Sequence, residues 1–484
     1  MKQKSVKFNF IMNAILSMSS FIFPLITFPY VSRILLPVGT GKVSFATSVI
    51  TYFAMFAQLG IPTYGIRACA KVRDDKEKLS KVAKELLAIN LIMVVVVYAI
   101  FLCTLAVVPK FAQEKELLLI ISSTMIFNML GAEWLYKALE QYSYITMRSI
   151  AFKFLALILM FVFVHEQSDY VIYGAITVLA SVGSGLLNFL NLRKYISLKE
   201  KVCLNLKQHM KPIFVFFAMT IATTIYTNLD TVMLGFMQGD EEVGYYNAAV
   251  KVKTILVSLV TSLGTVLLPR VSYYIEKKMD DEFKRITAKA FNFVVLVALP
   301  LSIYFILFAK DSIMFLSGTA YEGSIVPMQI IMPTVFLIGL SNIMGIQMLI
   351  PLGKEKMVLL SEVAGAIVDL ALNAILIPRY ASAGAAIGTL AAEFVVVLVQ
   401  LWALREIVIP IIRKMNFARI FVPIVVATTV ICLLKQFQCE SYFLQLVWTA
   451  IVYFGTYGGL LLVMKEPLII SIVNDLLTKA HIKK

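Results

Sequence analysis

The stretch GKVSFATSVITYFAMFAQLGIPTYGIR, residues 41–67, is echoed 203 positions later by GYYNAAVKVKTILVSLVTSLGTVLLPR, residues 244–270. Gly41, Ala46, Val49, Thr51 and Arg67 match Gly244, Ala249, Val252, Thr254 and Arg270 at that single offset. Each stretch runs from a turn, through an apolar helix, to an arginine that opens a charged loop. The loops correspond too: Asp74-Asp75 precede a Lys-rich run, and Asp280-Asp281 precede Phe283-Lys284-Arg285-Ile286. In an apolar chain, an internal repeat points to a transporter with its path between the halves.

The chain is that apolar. Of its 484 residues 60% are hydrophobic and 15% charged, with mean hydropathy +0.85, against about 45–50% and 25% in soluble domains. The expectation is an all-α polytopic membrane protein. A span needs about 20 apolar residues to cross a hydrocarbon core about 30 Å thick. On that measure spans fall near 8–32, 42–65, 86–109, 117–137, 149–165, 170–192, 212–236, 243–268, 289–309, 324–350, 357–377, 383–403, 418–435 and 442–464, about fourteen in all. The N-terminal Lys2, Lys4 and Lys7 before an apolar run resemble a signal peptide, but no small-residue cleavage site follows, so the run is read as the first span.

Loop charge orients these spans, because Lys and Arg collect on the cytoplasmic side. With both termini inside, 35 of the 44 Lys and Arg residues lie on inside segments and seven outside. The remaining two, Lys251 and Lys253, lie within the eighth span. The net charge of +15 is therefore assigned to loops facing anionic lipid rather than to nucleic acid. Loops 66–85 and 269–289 are expected to be amphipathic helices on that surface. Six spans separate the echoing blocks, an even number, so the repeat is parallel. The expected organisation is an N-lobe over 1–211 and a C-lobe over 212–404. Two extra spans and an amphipathic cytoplasmic tail then occupy 405–484.

Charged residues inside spans cost about 2.5–3.5 kcal/mol each and need a reason. Lys251 and Lys253 read either as cavity cations for an anionic substrate, or as snorkelling stems, with Lys251 paired to Asp230. Asp230, Asp369 and Glu393 read either as a coupling-ion site for protons or sodium or as helix-pairing groups; Glu362, Asp369 and Asn373 share one helical face. Glu133 and Lys137 have the spacing of an intrahelical pair, and Arg148 and Lys153 flank the start of span five as headgroup anchors. Pro24 and Pro29 in the first span suggest a hinge, followed by Arg33 at its outer end. Arg67 and Arg270 read as phosphate ligands at the cytoplasmic mouth, or as ordinary interfacial anchors. The five cysteines show no metal or disulfide spacing, and His165, His209 and His481 form no metal set. With no phosphate-cradling Gly-rich loop there is no built-in ATPase, so no cofactor is expected and coupling falls to an ion gradient.

Three motifs carry a family resemblance. Arg33-Ile34-Leu35-Leu36-Pro37 with Gly41, Phe45-Ala46, Gly60 and Tyr64-Gly65-Ile66-Arg67 forms the first. Glu133-Trp134-Leu135-Tyr136 with Leu139-Glu140, Tyr144-Ile145-Thr146 and Arg148-Ser149 forms the second. Asn228-Leu229-Asp230-Thr231-Val232-Met233-Leu234-Gly235 with Val243-Gly244-Tyr245-Tyr246 and Leu268-Pro269-Arg270 forms the third. Across most of residues 20–275 the chain resembles bacterial polysaccharide repeat-unit flippases of the Wzx type, in the multidrug/oligosaccharidyl-lipid/polysaccharide exporter superfamily. The resemblance implies two lobes in a V around a central cavity in the bacterial cytoplasmic membrane. It implies alternating-access transfer of undecaprenyl-pyrophosphate-linked oligosaccharide, alongside polysaccharide polymerase and glycosyltransferases. Its substrate cations would be Arg33, Arg67, Lys251, Lys253 and Arg270. Many such flippases have about twelve spans, and the extra pair here resembles peptidoglycan-precursor flippases. A cation-coupled multidrug exporter is the second reading. A membrane-embedded polymerase or ligase is the third, and it lacks the large external loop such enzymes carry.

Overall fold

The computed structural model describes residues 6–197, 204–434, 439–471 and 474. Lys2, Lys4, Cys203, Lys435, His481 and most of the expected C-terminal tail lie outside the described residues. Within them the chain is helical and contains no strand. The first helices are α1 (Val6–Gln58), α2 (Ile61–Ala70), α3 (Lys76–Val107), α4 (Pro109–Gln113) and α5 (Lys115–Gly131). There follow α6 (Glu133–Ala138), α7 (Tyr142–Phe163), α8 (Tyr170–Val178), α9 (Gly185–Leu192) and α10 (Lys207–Met237). Beyond a short turn come α11 (Asp240–Glu276), α12 (Asp280–Leu307), α13 (Ala309–Ser317), α14 (Ile325–Ile331) and α15 (Thr334–Asn342). The last are α16 (Glu355–Ala403), α17 (Arg405–Lys414), α18 (Ala418–Leu434) and α19 (Tyr442–Val463).

Two compact units result, Met1–Gly244 and Tyr245–Lys484. In the first, α1 is the hub, packed against α3, α5, α7, α8 and α10. In the second, α12 packs against α14, α15, α17 and α18, and α18 lies along α19. Tyr304 of α12 donates to the Leu446 carbonyl (2.7 Å) and Tyr457 of α19 to the Leu296 carbonyl (2.9 Å), which ties α19 to α12. Apolar faces without partners remain on the outside. On α3, Ile92, Val95 and Ile100 are exposed, whereas Val94, Val97 and Phe101 are buried. Such a stripe suits acyl chains rather than water.

Nine helices among the described residues are long and apolar enough to cross a membrane, or eleven if each of two bent pairs is one span. This is fewer than the fourteen expected, and much of the difference lies in α1 and α16, each a continuous helix covering two expected spans. A straight helix of 53 residues would be about 80 Å long, far more than one crossing requires. α1 breaks at Leu36 (φ 58°, ψ 178°). Leu36 precedes Pro37, whose ring disfavours the helical conformation in the residue before it. Beyond the break the chain doubles back: Leu16 packs on the same apolar cluster as Tyr52 and Met55. Pro24 and Pro29, by contrast, sit in helix with ordinary dihedrals, so the bend lies at Leu36 and not at the expected hinge residues.

α16 is likewise a hairpin, turning at Ala381 (φ 48°). A Cβ on Gly384 would stand 2.5 Å from the Leu376 carbonyl oxygen, and Gln400 donates to Ser361 Oγ at 3.1 Å across the arms. The buried faces are small and polar: Ser361, Asp369 and Asn373 on one arm, Thr389, Glu393 and Gln400 on the other. A Cβ on Gly388 would overlap Asn373 Oδ1 and stand 3.1 Å from Asp369 Oδ1. Gly388→Ala is therefore expected to spread the hairpin and to cost about 1–3 kcal/mol, read as a lowered Tm in detergent.

The charged loops differ from the expected surface helices. Residues 66–85 divide between the end of α2 and the first turns of α3, and 269–289 between α11 and α12. Asp75 caps α3, accepting from the amides of Glu77 (3.1 Å) and Lys78 (3.0 Å). Those bonds and the Lys78 ammonium hold its carboxyl below the usual range. A capped helix leading into a span is cheaper than a separate surface helix with two unsatisfied ends.

Candidate functional site

Four features gather the charges and close backbone contacts of the chain. The first is built on α2. Its entry needs glycine, because Gly60 has φ +72° and a Cβ there would stand 2.6 Å from the Phe217 amide. Tyr64, Arg67 and Lys71 then follow at helical spacing on one face. With Val72 and Val82, and with His209, Pro212 and Phe216, they line a cavity of about 370 Å³. Arg67 is exposed. The opposite face is closed, since a Cβ on Gly65 would stand 2.8 Å from the Trp134 ring.

A buried relay fixes the cavity wall. The Tyr64 hydroxyl lies 2.8 Å from His209 Nδ1, and His209 Nε2 lies 2.8 Å from Glu85 Oε2. Glu85 is fully buried and also accepts from the Asn205 amide (2.8 Å) and Gln208 Nε2 (2.9 Å). A carboxylate out of water needs such donors. An imidazole with its proton on Nε2 donates to Glu85 and accepts from Tyr64, and the Gln208 amide then donates to Glu85 rather than to the ring. The relay pins the start of α10 against α2 and α3, which leaves Arg67 and Lys71 facing open space.

A second feature lies where α1 resumes after Leu36. A Cβ on Gly41 would overlap the Asp240 carbonyl oxygen, and a Cβ on Gly244 would overlap that of Pro37. The contact is reciprocal under the 203-residue offset, which carries Gly41 to Gly244 and Pro37 to Asp240. Around it, Lys42 pairs with Glu114 (2.6 Å) and Lys110 with Asp240 (3.0 Å). Lys110 also donates to the Gly235 carbonyl. Arg33 is exposed and donates to the Pro29 carbonyl one turn back (2.5 Å).

The third is on α11. Lys251 is exposed and Lys253 half-buried, between buried Ala249, Val252 and Leu256. Their counterparts under the offset, Ser48 and Ile50, are both buried. Arg270, further along α11, is exposed. The fourth is the acid set: Asp230 is buried on α10, and Asp369 and Glu393 are buried on the two arms of the α16 hairpin. Among the described residues no group of His, Cys, Asp or Glu has the arrangement of a metal site.

Glu133 forms the expected pair with Lys137 (2.9 Å). Arg148 departs from the headgroup anchor expected of it. It is buried, 3.7 Å from Glu133, and donates to the Ser184 carbonyl at 3.2 Å. Lys153 donates to Ser19 and Ser20 of α1.

The polysaccharide biosynthesis protein family matches residues 6–275, and the MatE family matches residues 215–375. A relative from Escherichia coli (strain K12), described as a putative O-antigen transporter, is 26% identical over 405 residues, covering 83% of this chain and 97% of its own. A relative of the same description from Shigella dysenteriae is 26% identical over 394 residues, covering 80% and 97%. The fold is similar to that of the Lipid II flippase MurJ in its inward closed conformation, with TM-score 0.77 at 15% identity, covering 95% of this chain and all of that one. An inward-facing multidrug resistance MATE family transporter of the MOP superfamily gives 0.61 at 15% identity, covering 82% and 98%. The chain belongs to the polysaccharide biosynthesis protein family, in the superfamily to which its Wzx-type motifs point.

Proposed function

We propose that the chain is a flippase that carries lipid-linked oligosaccharide across the bacterial cytoplasmic membrane for surface polysaccharide synthesis. The family match over residues 6–275 carries the reading, supported by relatives described as putative O-antigen transporters. In the finer form of the proposal the carrier is undecaprenyl pyrophosphate and both termini are cytoplasmic. Arg67 and Lys71 meet the diphosphate first, Lys251 and Lys253 hold it during transfer, and Arg270 and Arg33 line its way in and out. Transfer proceeds by alternating access. Coupling to a proton or sodium gradient is assigned to Asp230, while Asp369 and Glu393 lock the α16 hairpin. Glycosyltransferases supply the cargo and a polymerase consumes it.

The MatE match over 215–375 favours a second reading, a cation-coupled multidrug exporter. One experiment separates them. Cells lacking the protein are expected to lose surface polysaccharide and accumulate lipid-linked repeat units accessible only from inside, with full restoration by the intact gene. Unchanged polysaccharide together with new sensitivity to cationic dyes would replace the flippase reading with the exporter.

A further inference from the structure

A second cavity, of about 600 Å³, lies in the second unit, where the start of α12 meets the α17–α18 bend and the end of α19. Nothing in the proposed transfer path uses it. Four cations line it: Arg285 and Lys289 from α12, Lys414 from α17 and Arg419 from α18. All four belong to segments whose charge places them on the cytoplasmic side. Its one acid is already engaged. Glu466 is 2% exposed, accepts from Asn292 Nδ2 at 2.6 Å and from the Ile469 amide at 2.8 Å, and so helps build the wall. Arg419 donates to the Lys465 carbonyl at 3.3 Å, and Arg285 pairs with Glu282 at 2.6 Å. Lys289 and Lys414 are exposed and make no ion pair among the described residues. Below the cations the wall is apolar, with Ile411 and Ile420 buried.

Under the internal repeat three of the four cations have no cationic counterpart, Arg285, Lys289 and Arg419 falling opposite Val82, Leu86 and Phe216, whereas Lys414 falls opposite Lys211. The 203-residue offset carries Val82, Pro212 and Phe216, which line the first unit's cavity, onto Arg285, Met415 and Arg419, which line this one. Two apolar positions have become arginines at an equivalent place in the fold. Cations over an apolar wall, at the level of the headgroups, match an anion that carries its own hydrocarbon.

We propose that this cavity binds the phosphate headgroup of an anionic phospholipid of the cytoplasmic leaflet, clamping α17 and the ends of α18 and α19 to the membrane surface. Lys289 and Lys414 take the phosphate, and Arg419 holds the mouth in shape through Lys465.

The test uses the purified full-length chain in neutral detergent, titrated with short-chain phosphatidylglycerol or phosphatidylcholine, with bound lipid read by native mass spectrometry. Phosphatidylglycerol is expected to bind and phosphatidylcholine not. Lys289→Gln with Lys414→Gln is expected to weaken binding about twenty-five-fold, at roughly fivefold per cation. Arginine at both positions is expected to retain it. Lys277→Gln with Lys278→Gln, exposed on a neighbouring segment of the same expected face, is expected to leave it unchanged. Equal binding by the Lys289/Lys414 glutamine variant, or equal loss in the Lys277/Lys278 control, would overturn the proposal. Competition by glycerol phosphate as strong as by phosphatidylglycerol would assign the site to a free phosphate and overturn the lipid.

Discussion

Gly41→Val with Gly244→Val is expected to abolish surface polysaccharide while the protein still reaches the membrane. A Cβ at either position falls on a backbone carbonyl, Asp240 for Gly41 and Pro37 for Gly244. Backbone cannot rotate away as a side chain tip can, so the contact must open. Overpacking costs about 1–3 kcal/mol even where side chains can adjust. About 5.5 kcal/mol takes a conformation from 99:1 to 1:99, so two valines facing each other suffice to empty this one. A transporter confined to the remaining conformations completes no cycle. Gly455→Ala is the control: nothing lies within 4 Å of a Cβ there, and replacing a helical glycine by alanine is neutral or slightly stabilising. Export is read by surface polysaccharide staining against protein level. Normal export with valine at both positions would show that this contact does not form during transport.

That contact also marks how far the sequence could be read. The repeat is visible because Gly41 and Gly244 are identical, and the identity has a cause, since each must let a backbone pass. The partners of those glycines are also related by the offset, but one is Pro37 and the other Asp240. Comparing residue types passes over them, because a carbonyl oxygen makes the contact and every residue has one. Most spans were legible for a similar reason. They depend on sums of many weak preferences, and no single partner decides them.

What was not legible depends on one partner far along the chain. Glu85, His209 and Tyr64 each have an ordinary local reading, as a loop acid, an isolated histidine and an interfacial aromatic. Their relay exists only because α10 returns beside α2 and α3. Arg148 looked like an anchor because its position near a span end is informative and its distant partner, the Ser184 carbonyl, leaves no mark in sequence. The bend at Leu36 was within reach: the residue before Pro37 was the one to weigh, rather than Pro24 and Pro29, because proline restricts its predecessor.

Lys251→Ala with Lys253→Ala is expected to remove export altogether, with the protein inserted and folded, whereas arginine at both positions is expected to retain it. These lysines stand where the repeat fails. Ser48 and Ile50, their counterparts, are buried, while Lys251 is exposed and Lys253 half-buried on the same turn of α11. A scaffold role would be filled as well by the small or apolar residues the first half uses, so the cost of two charges within the eighth expected span points to the cargo. A charge-assisted bond to a phosphate contributes about 1.5–3 kcal/mol. Losing two therefore weakens diphosphate binding by more than about a hundredfold. The comparison with arginine separates substrate charge from packing, because guanidinium keeps the charge and adds bulk. Two measurements are needed, surface polysaccharide in cells and Tm of the purified variant. Lost export with unchanged Tm assigns the lysines to the cargo. Lost export with a Tm lowered as far as in Gly388→Ala assigns them to the scaffold. Normal export in the alanine variant removes them from the path, and the diphosphate would then have to be carried by Arg67, Lys71 and Arg270.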